Sequence, residues 1–255
     1  MALPCRKFLS PEKTMRLLLN IGNTHTQIAP ETDLGVGEIS TLDSPRLPEA
    51  LPAFLQRQDD PHCRLLAACV VPALRQALQE RLGERIAFVS CRAYPNLDFS
   101  SYDTTTLGAD RIANAAAAVH CCGGAPVLVL DCGSAITSEA VAHGALFRGG
   151  VILPGRALQR RALAAFTAQL PEIPLDDDLP APCGKNTAQA IQAGVDLGLL
   201  GAVREIIART RALPEFTACS VLAVGGDAPF FVRNIPGLVA GPADFTLQGV
   251  RLAQL

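Results

Sequence analysis

Two stretches of the chain share one hydrophobic rhythm. From Leu17 three apolar residues lead into Asn20-Ile21-Gly22-Asn23-Thr24, and the pattern resumes through Thr26 and Ile28. From Val127 four apolar residues lead into Asp131-Cys132-Gly133-Ser134-Ala135, and the pattern resumes through Ile136 and Thr137. An apolar run of this length ending in Asx-x-Gly predicts a buried strand, a glycine-dependent turn and a returning strand. The repetition is a weak internal duplication, and each half closes alike. Leu65–Val71 reads as a strand with Pro72 opening a helix to Leu82; Val221–Val224 reads as a strand, followed by Gly225-Gly226 and a helical pattern over Ala228–Val232. Between them the periodicity predicts helices over Asp110–His120, Leu158–Leu170 and Thr187–Arg211, and a glycine-bracketed strand over Gly149–Gly155. Strands and helices alternate, so the class is α/β. The expected organisation is a loose extension over 1–14, a first lobe over 15–120 and a second over 121–255.

Composition narrows this picture. A chain of 255 residues, 49% hydrophobic and 18% charged, is globular and can form two lobes of roughly 100 to 130 residues. Its 22 basic and 24 acidic residues are mixed along the chain for a formal net charge of −2, so no basic stripe is offered to nucleic acid and none is expected as a partner. The nine cysteines are odd in number, follow no secretory signal and include no C-x-x-C pair; they read as reduced, cytoplasmic thiols with no structural metal. The longest charge-free stretch, Ile112–Leu130, is broken by Asn114, His120, Gly123-Gly124 and Pro126 into helix, turn and strand rather than a membrane span. Pro171–Pro182, with four prolines and Asp176-Asp177-Asp178, reads as a solvated surface loop and not a metal site.

Candidate chemistry lies at the turns. Glycine and small polar residues after a buried strand leave backbone N–H groups and hydroxyls open to a phosphate chain, and two related copies suggest a nucleotide held between two lobes. Taken singly, each is equally an ordinary hairpin. Gly108-Ala109-Asp110-Arg111 opens a helix: Asp110 is either its N-cap or a base for a substrate hydroxyl, and Arg111 is either a surface residue or a fork for a substrate carboxylate. Thr187, after Gly184-Lys185-Asn186, can cap its helix, whose Gly194 and Gly198 permit close helix packing.

Together and in this order the segments resemble the type III pantothenate kinase family, over nearly the whole chain from Met15. The family pattern D-x-G-N-T, G-x-D-R, D-x-G-T-A-x-T, G-G-x-I-x-P-G, G-x-x-T and T-L-x-G corresponds to Asn20–Thr24, Gly108–Arg111, Asp131–Thr137, Gly149–Gly155, Gly184–Thr187 and Thr246–Gly249. The resemblance implies two related actin-like (ribonuclease H-like) lobes and a homodimer with the active site at its interface. It implies ATP-dependent phosphorylation of pantothenate, the first step of coenzyme A synthesis, with Mg²⁺ accompanying ATP and a monovalent cation, K⁺ or NH₄⁺, required. Position by position, Asn20, Ile21, Gly22, Asn23, Thr24, His25, Thr26, Gln27 and Ser134 would line ATP. Asp131 would hold the monovalent cation, and Asp110 would be the general base. Tyr102, Gly108, Ala109, Asp110, Arg111 and Thr187 would bind pantothenate. The sequence departs from the pattern at Asn20, where the family has Asp: an amide keeps the shape but lacks the charge that attracts Mg²⁺. Three readings follow: an active kinase, a ligand-binding or regulatory paralogue, and a kinase for a related hydroxy acid, the last because Thr104-Thr105-Thr106 replaces the usual Asn-Pro after Tyr102.

Overall fold

The structure, a computed structural model, describes residues 15–57, 60 and 62–254. The extension expected over 1–14 lies outside them. The first sheet contains β1 (Arg16–Ile21), β2 (His25–Thr32), β3 (Gly35–Val36), β4 (Ser40–Asp43), β5 (Arg64–Cys69) and β6 (Ile86–Phe88), in the order β3-β2-β1-β5-β6 with β4 also on β2. The second contains β7 (Val127–Cys132), β8 (Ala135–Ala142), β9 (Leu146–Gly149), β10 (Ile152–Pro154), β11 (Ser220–Val224) and β12 (Val239–Ala240), in the order β10-β8-β7-β11-β12 with β9 also on β8. In both, an antiparallel hairpin is followed by two parallel strands, so the internal duplication is one of topology.

The helices are α1 (Leu47–Gln56), α2 (Pro72–Leu82), α3 (Ala109–Cys121), α4 (Arg156–Phe166), α5 (Thr187–Arg211), α6 (Ala228–Asn234) and α7 (Phe245–Arg251). Strand β1 reads as a continuous apolar run because it is covered on both faces. Leu17, Leu19 and Ile21 pack with Leu47 and Leu51 of α1 and Leu78 of α2, while Leu18 packs with Ile112 of α3 and Leu247 of α7. Helix α3 is buried from Ile112 to Ala118, between the two sheets. Ala109, Ala113 and Ala116 join the core of the first sheet, whereas Ala115, Ala117 and Ala118 pack with Val127, Val129 and Phe147 of the second. Alanines keep both sheets close to one helix axis. Helix α7, although it follows the second sheet in sequence, packs on α3 and on β1 and β5 of the first; the Tyr94 hydroxyl donates to the Gly249 carbonyl at 2.9 Å.

Two elements differ from expectation. The helix predicted over Leu158–Leu170 runs from Arg156 to Phe166. Gly155 is its N-cap, and its far end stops where Thr167 becomes extended and its hydroxyl donates to the Leu163 carbonyl at 2.7 Å. The strand predicted over Gly149–Gly155 is two: β9 ends at Gly149, which has φ +97° and is still paired with Ala140, and β10 rejoins β8 at Ile152.

Candidate active site

A cleft of about 580 Å³ opens between the two hairpin turns. In the first turn the Gly22 N–H donates to the His25 carbonyl at 3.1 Å, and Ser44 braces it from below. The Ser44 hydroxyl donates to the Gly22 carbonyl at 2.6 Å and lies 2.9 Å from the Thr26 hydroxyl. In the second turn the Gly133 N–H donates to the Ala135 carbonyl at 3.0 Å. The turns meet directly: the Thr24 and Ser134 hydroxyls are 2.8 Å apart. Asn20, Gly22, Asn23, Thr24, His25, Gln27 and Ser134 all line the cleft, together with Asp110 and Asp131. Ile21 and Thr26 do not; both side chains are fully buried and support the turn from within.

The cleft wall beyond the turns is made of small and apolar residues, among them Val224, Ala228, Pro229, Ala240, Pro242 and Phe245. It is closed by the turn at Gly225. There φ is +89°, and a Cβ would lie 2.6 Å from both Asp131 Oδ1 and the Cys132 carbonyl oxygen, so a side chain is excluded by both conformation and space.

Asp110 sits in the first turn of α3, and Gly108, not Asp110, is the N-cap. Asp110 Oδ1 accepts from the Arg111 N–H at 2.7 Å. Burial raises its pKa above the usual aspartate value, opposed by that N–H and by the Arg111 guanidinium. Asp131 Oδ2 accepts from Asn114 Nδ2 at 3.0 Å, and Asn114 Oδ1 in turn accepts from the Thr246 hydroxyl at 2.7 Å. Burial pushes Asp131 up to about 6; Asn114 lowers it and the charge of Asp110 raises it further.

Arg111 is enclosed rather than on the surface. Its Nε donates to Glu139 Oε1 at 2.9 Å, Nη2 to the Ser138 carbonyl at 2.9 Å, and Nη1 to the Tyr102 hydroxyl at 3.4 Å. Tyr102 stands edge-on to Phe147, with ring centroids 5.1 Å apart. Removing Glu139 would leave a buried unpaired guanidinium, a loss of about 3–5 kcal/mol. Tyr102, Gly108, Ala109 and Arg111 thus lie behind Asp110, outside the cleft lining. Thr187 is also outside it: it is exposed at the first position of α5, and the cap is Asn186, whose Oδ1 accepts from the Gln189 N–H at 2.9 Å. Gly194 and Gly198 face open space among the described residues: a Cβ at either would meet nothing within 4 Å.

Glu139 and Asn114 were not found from sequence. Glu139 had a signal, since a lone charge before the buried run Ala140-Val141-Ala142 requires a buried partner. Among the described residues no group of three or more His, Cys, Asp or Glu is placed to hold a metal ion, and no helix is long and apolar enough to cross a membrane. In the acidic run Asp177 pairs with Arg233 at 3.1 Å, and the Asp178 N–H donates to Asp176 Oδ1 at 2.8 Å.

Two sheets of one strand order, a cleft between their hairpin turns and a buried helix joining them define an actin-like fold. The chain is similar to a conserved Baf family protein from Campylobacter jejuni, with TM-score 0.61, 21% identity and coverage of 92% of this chain and 95% of that one. It is also similar in fold to MreB 5 of Spiroplasma citri bound to AMPPNP, with TM-score 0.55, 11% identity and coverage of 95% and 96%. Within that class, residues 16–209 match the family model described as type III pantothenate kinase, and the chain belongs to that family of enzymes. Its relatives include the type III pantothenate kinases of Endomicrobium trichonymphae, 30% identical over 93% of this chain and 98% of that one, and of Legionella pneumophila strain Corby, 35% identical over 75% and 77%.

Proposed function

We propose that this protein transfers the γ-phosphoryl group of ATP to the primary hydroxyl of pantothenate, with Asp110 accepting the hydroxyl proton. The observation that carries the reading is the placement of Asp110 and Asp131 in one cleft with two hydroxyl- and amide-lined turns. Phosphate oxygens need donors on both sides, and the two turns bring Asn23 and the Thr24 and Ser134 hydroxyls to the cleft from opposite sheets. The apolar wall from Val224 to Phe245 suits the flat base. Burial raises the Asp110 pKa above the usual aspartate value, which makes its carboxylate a better proton acceptor than an exposed aspartate. Arg111 has three groups of its fork engaged, so a substrate carboxylate would meet it on the Nη1 side beside Tyr102.

The donor set fits the expected cations unequally. Asp131 offers one carboxylate, with Oδ2 held by Asn114 and Oδ1 beside the Gly225 backbone, hard oxygen chemistry suited to a singly charged ion such as K⁺ or NH₄⁺. No multi-carboxylate cage exists among the described residues for Mg²⁺, which fits an ion carried mainly by the nucleotide phosphates. Such cations would offset phosphate charge during transfer.

A second reading is favoured by Asn20, which lines the cleft with an amide where the family pattern has a carboxylate: a ligand-binding protein with impaired turnover. Both readings include a homodimer. Ala190, Gly194, Gly198 and Gly201 are exposed along one face of α5 with Thr187 at its start, a surface on which a second copy can approach closely and deliver Thr187 to its cleft. The test is phosphopantothenate formation with ATP and Mg²⁺, with and without K⁺, for this protein and its Asn20→Asp variant, alongside the mass in solution. Potassium-dependent product from a dimer is expected. Nucleotide binding with turnover only in the variant would replace the first reading by the second.

A further inference from the structure

Behind the nucleotide cleft lies a group of four charges, three buried and one half-buried, that the phosphoryl transfer does not use. Arg156 is fully buried, and its Nε and Nη2 donate to the two carboxylate oxygens of Asp196 at 2.9 and 3.0 Å. Arg160, one turn further along α4, reaches the same carboxylate at 2.8 Å to each oxygen. The remaining Arg156 nitrogen, Nη1, donates to Asp227 Oδ1 at 2.8 Å, and the guanidinium stacks 3.6 Å from the Phe230 ring centroid. Arg156 and Arg160 also donate to the carbonyls of Asp176 and Pro174, fastening the segment between α4 and α5. Two positive and two negative side chains balance, and every plane of the Arg156 fork is fixed.

The ends of this group abut the cleft. Gly155, the neighbour of Arg156, donates its N–H to the Ser134 carbonyl at 2.9 Å. A Cβ at Gly155 would lie 2.2 Å from the Gly133 carbonyl oxygen, so the start of α4 is pressed against the second phosphate-facing turn. Asp227 follows Gly226, which lines the cleft, and its N–H donates to the Cys132 carbonyl at 2.9 Å. Arg156–Asp227 therefore ties the Gly133–Ser134 turn to the Gly225–Gly226 turn. An apolar cluster would stabilise such a place at least as well as buried ions; what the forked pair adds is a defined geometry.

We propose that Arg156 and Asp227 are positioning residues for the nucleotide: their ion pair, oriented by Asp196 and Arg160, holds the two turns of the second lobe at the spacing the nucleotide needs. The proposal rests on the cleft being a nucleotide site. It places no load on the phosphate acceptor, which lies on the side of Asp110.

Asp227 is the least buried member and the one to change. In the full chain, Asp227→Ala is expected to raise the Kd for a non-hydrolysable ATP analogue and the KM for ATP about tenfold, with the KM for pantothenate and kcat at saturating ATP changed less than about twofold. Asp227→Asn, which keeps an acceptor oxygen for Nη1, should recover most of that loss. Unchanged nucleotide affinity in Asp227→Ala, or a parallel fall in every kinetic parameter matching a loss of folded protein by thermal melt, overturns the proposal. Wild-type protein that binds the analogue but does not phosphorylate pantothenate removes the acceptor reading alone, and the Asp227 titrations still decide. Wild-type protein that binds no nucleotide overturns both.

Discussion

The two hairpin turns occupy equivalent places in equivalent sheets, yet they differ in charge. In the second sheet Asp131 lines the cleft, is held by Asn114 and is pushed up to about 6 by burial. In the first the corresponding position is Asn20, an amide on the cleft wall paired across the hairpin with Gln27. A duplicated scaffold supplies two cleft-facing turns of similar shape, but the negative charge is concentrated at Asp131 and the neighbouring Asp110. Shape and charge have been separated between the copies, and each can be altered without the other.

The largest expected effect comes from changing Asp110. Asp110→Asn should lower turnover by about 10²–10⁴-fold with nucleotide affinity little changed, measured by product formation and analogue titration. In the wild type the acid limb of the pH profile should lie above that of an ordinary aspartate, because burial raises the Asp110 pKa. Asp131→Asn should lower potassium-dependent turnover by about 10²-fold while making the cation-free fold more stable. The sign follows from linkage: the folded state binds the Asp131 proton more tightly than the unfolded chain, so stability falls as pH rises from about 4 through 6. The variant should therefore melt higher above pH 6, by about 2–3 kcal/mol, with the advantage gone below pH 4.

Restoring charge to the first turn sharpens the comparison in the other direction. Asn20→Asp should raise turnover by roughly tenfold at limiting Mg²⁺, and an unchanged rate would mean that the first turn contributes shape only. The smallest change is Ser134→Ala, which removes the hydroxyl contact to Thr24 between the turns. One neutral hydrogen bond contributes about 0.5–1.5 kcal/mol, so a rise in KM for ATP of less than about tenfold is expected.

What could be read from sequence was what local pattern determines. The two hairpins, α2, and α5 from Thr187 to Arg211 follow from apolar runs, proline and glycine. The candidate residues Asn20, Gly22–His25, Gln27, Asp110, Asp131 and Ser134 meet in one cleft because the turns that carry them fall at equivalent strand ends. The short edge strands β3 and β12 and helices α1 and α7 carried too little pattern. Long-range pairing was hidden for another reason: nothing near Asp196 in sequence announces Arg156, 40 positions away, and nothing near Arg111 announces Glu139. The caps were misplaced by one or two residues, at Gly108 and Asn186, because several residues in each segment are good caps.

The return of α7 to the first sheet orders events in time. During synthesis β1 and β5 emerge early, but Leu247 and Val250, which complete the core over Leu18 and Leu66, are made after the whole second sheet. The first half therefore waits, with one face uncovered, for a segment that follows the whole second sheet. Folding becomes a late closure of the whole molecule rather than two successive local events, and a chain interrupted before α7 would leave the Asp110 side of the cleft resting on an unfinished core.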